Sequence, residues 1–423
     1  MNLYTTKFFT YKNNSLYCEE IELNKLTKEY GTPVYVYSKN SIIENYNRFV
    51  KAFEGLNFRV FYAAKSNYNL NVIRILNKLG SGIDVNSQGE FFRAKKAGVA
   101  DKDLIFTGVG KTLDEIKLAV SSNVLMIKAE SLSEVIKINR EAGKIGKIAP
   151  VALRINPEVD AQTHPHITTA VSGSKFGITF SEALVIYGNA SKYPHINFCG
   201  IDIHIGSQIT TPDPFITAVS VMKDFLLKVL QLGIKIEHFD IGGGFGIEYK
   251  PEDNSKFEEI AALLVPLLKS LDCEIIFEPG RFITANAGVL LSEIIYRKRS
   301  GDKEIIMLDA GTTELIRPAF YGSYHHIQPL NLDESQPDIV VDITGPICES
   351  SDYFAKERTI QSTIEEETLA IMCAGSYASV MSSNYNGRRR PPEIIIDKNK
   401  VYVSRSRETF EHLLYDEKII KEL

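Results

Sequence analysis

The feature that most constrains this chain is a rhythm: between Phe58 and Phe277, strand-like runs alternate with helical patterns, eight strands in all. Period-2 or β-branched and aromatic runs mark 58–62, 82–85, 104–107, 125–128, 151–155, 198–205, 236–241 and 274–277 as strands. Between them apolar residues recur at helical spacing, as in Leu70, Val72, Ile73, Leu76 and Leu79. Eight such units over roughly 230 residues fit a (β/α)8 barrel, with a doubly wound sheet as the alternative the alternation also allows. After about Ala285 the rhythm stops, and strand-like runs separated by turns continue to Val403. The expected fold class is α/β: a TIM-like (β/α)8 barrel plus an all-β C-terminal domain joined by N-terminal strands. The expected domains are residues 1–40, the joining strands; 41–284, the barrel; and 285–423, the β domain.

Composition narrows the function classes. With 44% hydrophobic and 24% charged residues, the chain is that of an ordinary soluble globular enzyme. A net charge of −5 argues against nucleic acid as a partner, because phosphate binding needs a concentrated basic surface. Arg388-Arg389-Arg390 is a dense basic run, but Pro391-Pro392 follows at once, as in a solvated turn. Five cysteines (Cys18, Cys199, Cys273, Cys348, Cys373) form no CxxC and no short framework, which suits a reducing compartment better than structural zinc. His164-Pro165-His166 and His325-His326 lack the carboxylate or helical spacing of a metal site, so no metal is expected. The start, Met1-Asn2-Leu3-Tyr4, lacks a signal-peptide layout, and the apolar run near Ala261 to Leu268 is too short for a bilayer and holds Pro266. A cytoplasmic protein with no membrane partner is the expectation.

In a barrel of this kind, chemistry gathers at the C-terminal ends of the strands. Polar residues fall there repeatedly. Lys65 follows the first strand in Phe61-Tyr62-Ala63-Ala64-Lys65-Ser66-Asn67. Its small neighbours leave room, the strand end holds its stem, and a partly desolvated amine is a candidate for Schiff-base chemistry. Asp84 lies in the second strand, Arg154 near the end of the fifth, and His204 ends the sixth within His204-Ile205-Gly206-Ser207-Gln208. The seventh runs into Gly242-Gly243-Gly244-Phe245-Gly246 and the eighth into Glu278-Pro279-Gly280-Arg281. Loops after strands seven and eight are the usual phosphate place. Glycines there let backbone amides approach the oxygens, and an arginine adds charge nearby. This is no dinucleotide fingerprint, since Ile247 stands three past Gly244; nor is Gly110-Lys111-Thr112 a P-loop tail, since Ile105 replaces its first glycine. A Schiff-base lysine, a ring-facing histidine, a phosphate cup and a carboxylate together point to pyridoxal 5′-phosphate. Glu278 is the candidate to keep the ring nitrogen protonated, so that the ring absorbs carbanion charge.

From about Leu26 to Leu414 the chain resembles the fold-type III pyridoxal-phosphate decarboxylases, most closely the branch acting on meso-diaminopimelate. The resemblance rests on Tyr62-Ala63-Ala64-Lys65-Ser66-Asn67, Thr163-His164-Pro165-His166, Lys175-Phe176-Gly177 and His204 to Gln208. It continues through Gly242-Gly243-Gly244, Glu278 to Arg281, Arg317-Pro318 with Tyr321, Cys348-Glu349-Ser350-Ser351-Asp352, and Asn384-Tyr385-Asn386 after Tyr377. It implies that Lys65 forms the Schiff base, His204 stacks on the ring, and Ser207, Gly244 and Gly280 help hold the phosphate. Glu278 would bond the pyridine nitrogen and Tyr377 would touch the phosphate and substrate region. Arg281, Arg317 and Tyr321 would hold the substrate's distal end, with Glu349 on its amino group; for Arg281 this differs from the phosphate role its position alone suggests. Cys348 is implied as proton donor, delivered by the neighbouring subunit of a homodimer with active sites at the subunit interface.

The reaction implied is decarboxylation of meso-2,6-diaminopimelate to L-lysine and CO2. The alternative is another amino acid of the same family, such as carboxynorspermidine, ornithine or arginine. Ornithine and arginine would call for an acidic clamp, whereas Arg317 with Tyr321 suits a distal carboxylate. Glu278 argues against a racemase, because a strong electron sink invites decarboxylation. A non-catalytic cofactor carrier would resemble the barrel alone, without Arg317, Cys348 and Tyr377. Two departures stand near the cofactor residues: Ser66 and Gln88 occupy positions where the family commonly has alanine and glycine.

Overall fold

Eight parallel strands pair side by side in chain order and close on themselves in the computed structural model, which describes residues 2–159 and 173–422. They are Phe58–Ala63, Gly82–Val85, Leu104–Phe106, Met126–Ala129, Ala149–Arg154, Ile196–Asp202, His238–Asp240 and Glu274–Phe277. The eighth meets the first in parallel register, with Ile275 beside Phe58 and Phe277 beside Val60. Closure decides between the two architectures the alternation allows. The motif Thr163-His164-Pro165-His166 lies outside the described residues.

A repeated local device starts the helices that follow strands two to five. Ser87, Thr112, Ser131 and Thr179 each accept a hydrogen bond from the amide three residues on, at Glu90, Glu115, Glu134 and Glu182. Each cap of this kind stabilises a helix by about 1 kcal/mol. Thr112 and Glu115 form the full reciprocal box. These caps fix where each helix begins and so keep the loops above strands two to four short.

Side chains on a strand alternate in direction, so residues two apart face the same way. The barrel's inner plug is apolar: Phe61, Ile105, Met126, Ala152, Cys199 and Ile276 form one buried cluster. Two residues further along, the same inward positions become charged. Met126 is followed by Lys128, Ala152 by Arg154 and Ile276 by Glu278, while Gly82 and Gly200 are followed by Asp84 and Asp202. A layer of buried charge thus rests on an apolar floor at the end of the barrel where chemistry gathers. Outside, Phe277 points away from Glu278 into an aromatic cluster, 4.2 Å from Phe53 and 5.5 Å from Phe49 between ring centroids.

The chain divides into two units: residues 43–247 with 254–283, and residues 1–42 with 248–253 and 284–423. In the second, Val34–Ser38 lies inside a nine-stranded sheet. It runs antiparallel to Gly288–Ser300 (Gly288 opposite Tyr37) and parallel to Glu393–Asp397 (Glu393 opposite Tyr35). The N-terminal strand therefore pairs within the β unit. Among the described residues, several elements escape the periodicity, two helices and two strands among them. Helix Leu23–Tyr30 is short, and helix Lys39–Ala52 buries Asn45 among Ile42, Tyr46 and Phe49, which blurs its apolar face. Strand Ile327–Pro329 is brief, and strand Tyr353–Gln361 has Glu357 at positive φ, where the register shifts and the alternation breaks. Among the described residues no helix is long and apolar enough to cross a membrane.

Candidate active site

Lys65 sits in the 3-10 turn Ala64–Ser66 directly after the first barrel strand, half-buried. The turn is pinned from both sides: Ser66 Oγ lies 2.9 Å from the Ala63 carbonyl and 2.9 Å from the Tyr62 hydroxyl, which donates to the Asn67 carbonyl at 3.0 Å. Gly280, after the eighth strand, packs so closely that a Cβ there would come within 2.9 Å of the Ser66 side chain. Serine at position 66 is thus accommodated within the cradle by its own hydrogen bonds.

His204 is fixed by the loop after the seventh strand. Its Nδ1 accepts from the Gly243 amide at 3.3 Å, which assigns the ring proton to Nε2. Burial, reinforced by the positive charges of Lys65, Arg154 and Lys128, pushes its pKa well below the usual histidine range. The imidazole is therefore a neutral, flat face. Beside it the loops after strands six and seven are laced together. Gln208 Nε2 donates to the Ile247 carbonyl at 2.6 Å, the Ile247 amide returns to Gln208 Oε1 at 3.2 Å, and the Ile209 amide donates to the Gly244 carbonyl at 2.9 Å. Gly244 has φ +97°, and a Cβ there would meet the Gly206 carbonyl at 2.7 Å, so only glycine permits this approach. Arg281 opens the short helix after the eighth strand and donates from Nη2 to Ser207 Oγ at 2.9 Å.

Glu278 follows the eighth strand, and its partners were hidden in the sequence. Lys128, fully buried, places Nζ 2.5 Å from Glu278 Oε1, 2.7 Å from Asp202 Oδ1 and 2.7 Å from Asp240 Oδ2. The three carboxylates converge as a cation site would, with ligand atoms within 4.8 Å of one another, and the ammonium sits among them. Burial and the neighbouring aspartates push the Glu278 carboxyl up, Lys128 opposing; burial also brings Asp202 up to about 7. Arg154 bonds Glu130 at 2.9 Å and lies over the Phe176 ring, while Glu130 also accepts from the Gly177 amide at 3.0 Å. The signal that finds these residues is the inward parity of a charged residue two positions past an apolar plug residue. A buried strand-end carboxylate, a neutral histidine face and a cradle that a Cβ would fill are a donor set that fits pyridoxal 5′-phosphate.

The remaining predicted residues belong to the β unit. Arg317 is buried at the start of the short helix Arg317–Tyr321. It is 2.8 Å from His325 Nε2, donates to Ser323 Oγ at 3.2 Å and faces the Tyr249 ring. Tyr321 packs edge-on to Phe320. Cys348 and Glu349 lie exposed on the loop after strand Asp338–Thr344. The Cys348 amide donates to Asn386 Oδ1 at 3.0 Å and the Tyr385 hydroxyl to Glu349 Oε1 at 2.5 Å. Asp352 ties this loop down by accepting from the Ile347 and Thr312 amides, each at 2.7 Å. Tyr377 adopts a left-handed backbone with φ +55°.

A strand-end lysine, a histidine face and a buried carboxylate on a closed parallel barrel define a pyridoxal-phosphate enzyme class. Residues 39–285 match the family described as pyridoxal-dependent decarboxylase, pyridoxal binding domain, and the chain belongs to that family. The similarity then narrows to diaminopimelate decarboxylases. The chain is 41% identical over 408 residues to diaminopimelate decarboxylase of Aquifex aeolicus, covering 96% of both. Diaminopimelate decarboxylase from M. jannaschii, solved with L-lysine, superposes with TM-score 0.93 at 35% identity, covering 99% of each chain. That from Helicobacter pylori, also with L-lysine, gives 0.89 at 35%, covering 93% of this chain and 98% of that one.

Proposed function

We infer that this chain is a pyridoxal-phosphate-dependent decarboxylase that converts meso-2,6-diaminopimelate to L-lysine and CO2, the last step of lysine biosynthesis. The observation that carries the reading is identity of 41% across 96% of both chains with a diaminopimelate decarboxylase, which spans both units and not the barrel alone. L-lysine in two solved relatives agrees with lysine as product.

Pyridoxal phosphate, when bound, supplies the electron sink that takes the electron pair left as CO2 departs. Lys65, with its amine at the strand end, is the residue that would hold the cofactor covalently. His204 offers its neutral ring face, and Ser207, Gly244 and Gly280 line the phosphate cradle, with Tyr377 reaching the same group. Glu278 holds the proton of the ring nitrogen. Arg281, Arg317 and Tyr321 take the distal carboxylate of the substrate, where a guanidinium gives two-pronged recognition, and Glu349 takes the distal ammonium. Cys348 Sγ returns a proton to the reacting carbon. The enzyme works in the cytoplasm as a homodimer whose neighbouring subunit supplies Cys348; the exposure of Cys348 and Glu349 in the single chain supports this.

The test is CO2 release by the purified protein with pyridoxal phosphate, offered meso-diaminopimelate, carboxynorspermidine, ornithine and arginine in parallel. Release from meso-diaminopimelate, abolished together with the cofactor's near-visible absorbance in Lys65→Ala, is expected. Release from ornithine or arginine alone overturns the assignment.

A further inference from the structure

We propose that Lys128 is a positioning residue for the cofactor-binding carboxylate, holding Glu278 by one oxygen and setting a cation against the ring of aspartates around it. The inference rests on the pyridoxal-phosphate reading of the barrel and adds to it a residue with no place in the expected site.

The geometry is that of a saturated ammonium. A lysine amine carries three hydrogens, and Lys128 Nζ has three carboxylate oxygens within 2.7 Å, from strands six and seven and the end of strand eight. Asp240 Oδ2 stands 2.7 Å from the amine, and its other oxygen accepts from the Gly242 amide at 2.8 Å. Of the four side chains, Lys128 and Asp240 are 0% exposed and Asp202 is 2%, whereas Glu278 is 6%. Glu278 is therefore the carboxylate that opens outward, with its inner oxygen anchored from below.

The charges facing this group come from every side of the barrel. Asp84 stands on the second strand, Arg154 on the fifth and Asp202 on the sixth, with Arg154 Nε 3.9 Å from Asp202 Oδ2. His204, neutral, follows the sixth; Asp240 is on the seventh; Lys65 follows the first. Burial works against a charged Lys128, but Asp202, Asp240, Glu278 and Asp84 outweigh it and hold the amine firmly protonated. For Glu278 the balance is reversed: burial, Asp240, Asp84 and Asp202 all favour its neutral form, and Lys128 is the cation that opposes them. With methionine at 128, Glu278 takes up a proton at a higher pH and loses the charge that pairs with a protonated pyridine.

The test measures pyridoxal-phosphate affinity against pH by absorbance titration of the full-length protein. Lys128→Met is expected to bind about tenfold more weakly near neutrality, with the acidic limb of the affinity profile moved up by about one pH unit, the scale of one lost charge contact. Where that variant does not fold, Lys128→Met/Asp202→Asn, which removes one charge of each sign, is compared with Asp202→Asn alone and is expected to show the same upward movement. A lysine that merely packs would lower the thermal midpoint and leave the limb where the wild type has it. An unmoved limb overturns the proposal. Failure of the wild type itself to bind the cofactor overturns the reading on which the proposal rests, and is seen before any variant is made.

Discussion

Cys348 lies on an exposed loop, yet its backbone is held by Asn386 and its loop by Asp352. A thiol on a fixed loop suits delivery of a proton to one carbon at one angle. Cys348→Ala is expected to reduce turnover by about 10²–10⁴-fold, the usual worth of a placed acid, while leaving pyridoxal-phosphate absorbance intact. Steady-state kinetics beside a cofactor titration decides it, and unchanged turnover removes Cys348 from the mechanism. Legibility at this scale follows position. Lys65, His204 and Glu278 stand at strand ends, where a barrel gathers its chemistry, so sequence reasoning reaches them. Lys128 also stands at a strand end, but a lone lysine there looks like solvated punctuation. Its meaning depends on Asp202 and Asp240, more than 70 residues away along the chain.

The elements show what local signals can and cannot carry. The serine and threonine caps with glutamate three residues on are visible in the sequence, and each opens a helix where expected. The bulged strand at Glu357 and the Gln208 clamp are invisible, because both depend on partners distant in sequence. The turn before Arg317 is local by contrast: Glu314 accepts from the Gly311 amide at 2.8 Å and Thr313 Oγ1 at 2.7 Å. Burial raises its carboxyl from 4.5 to about 7. A raised carboxyl binds its proton in the native state before the unfolded one does. It therefore contributes stability at low pH, and that contribution is lost as pH rises from about 4.5 through about 7, by about 3 kcal/mol in all. Thermal midpoints across this window are expected to fall more steeply in wild type than in Glu314→Gln. Parallel curves would contradict the assigned burial effect.

At the scale of the molecule, the alternation of strands and helices left two folds open, and closure of the eighth strand on the first selects the barrel. The β unit was legible as a class but not as a topology, since nothing local says that Val34–Ser38 pairs between Gly288–Ser300 and Glu393–Asp397. The homodimer proposal belongs here too. If Cys348 serves the neighbouring subunit's Lys65, mixing inactive Lys65→Ala with inactive Cys348→Ala restores about a quarter of wild-type activity, because half of the randomly formed dimers carry one intact site of two. No recovery after verified subunit exchange places both residues in sites built from one chain.

The central claim is the reaction itself, and the product tests it most directly. Purified protein loaded with pyridoxal phosphate and given meso-2,6-diaminopimelate should form L-lysine and CO2 in equal amounts, resolved by chiral chromatography and trapped gas. Racemised or unchanged diaminopimelate without CO2, from protein that shows the bound cofactor's absorbance, would contradict the account.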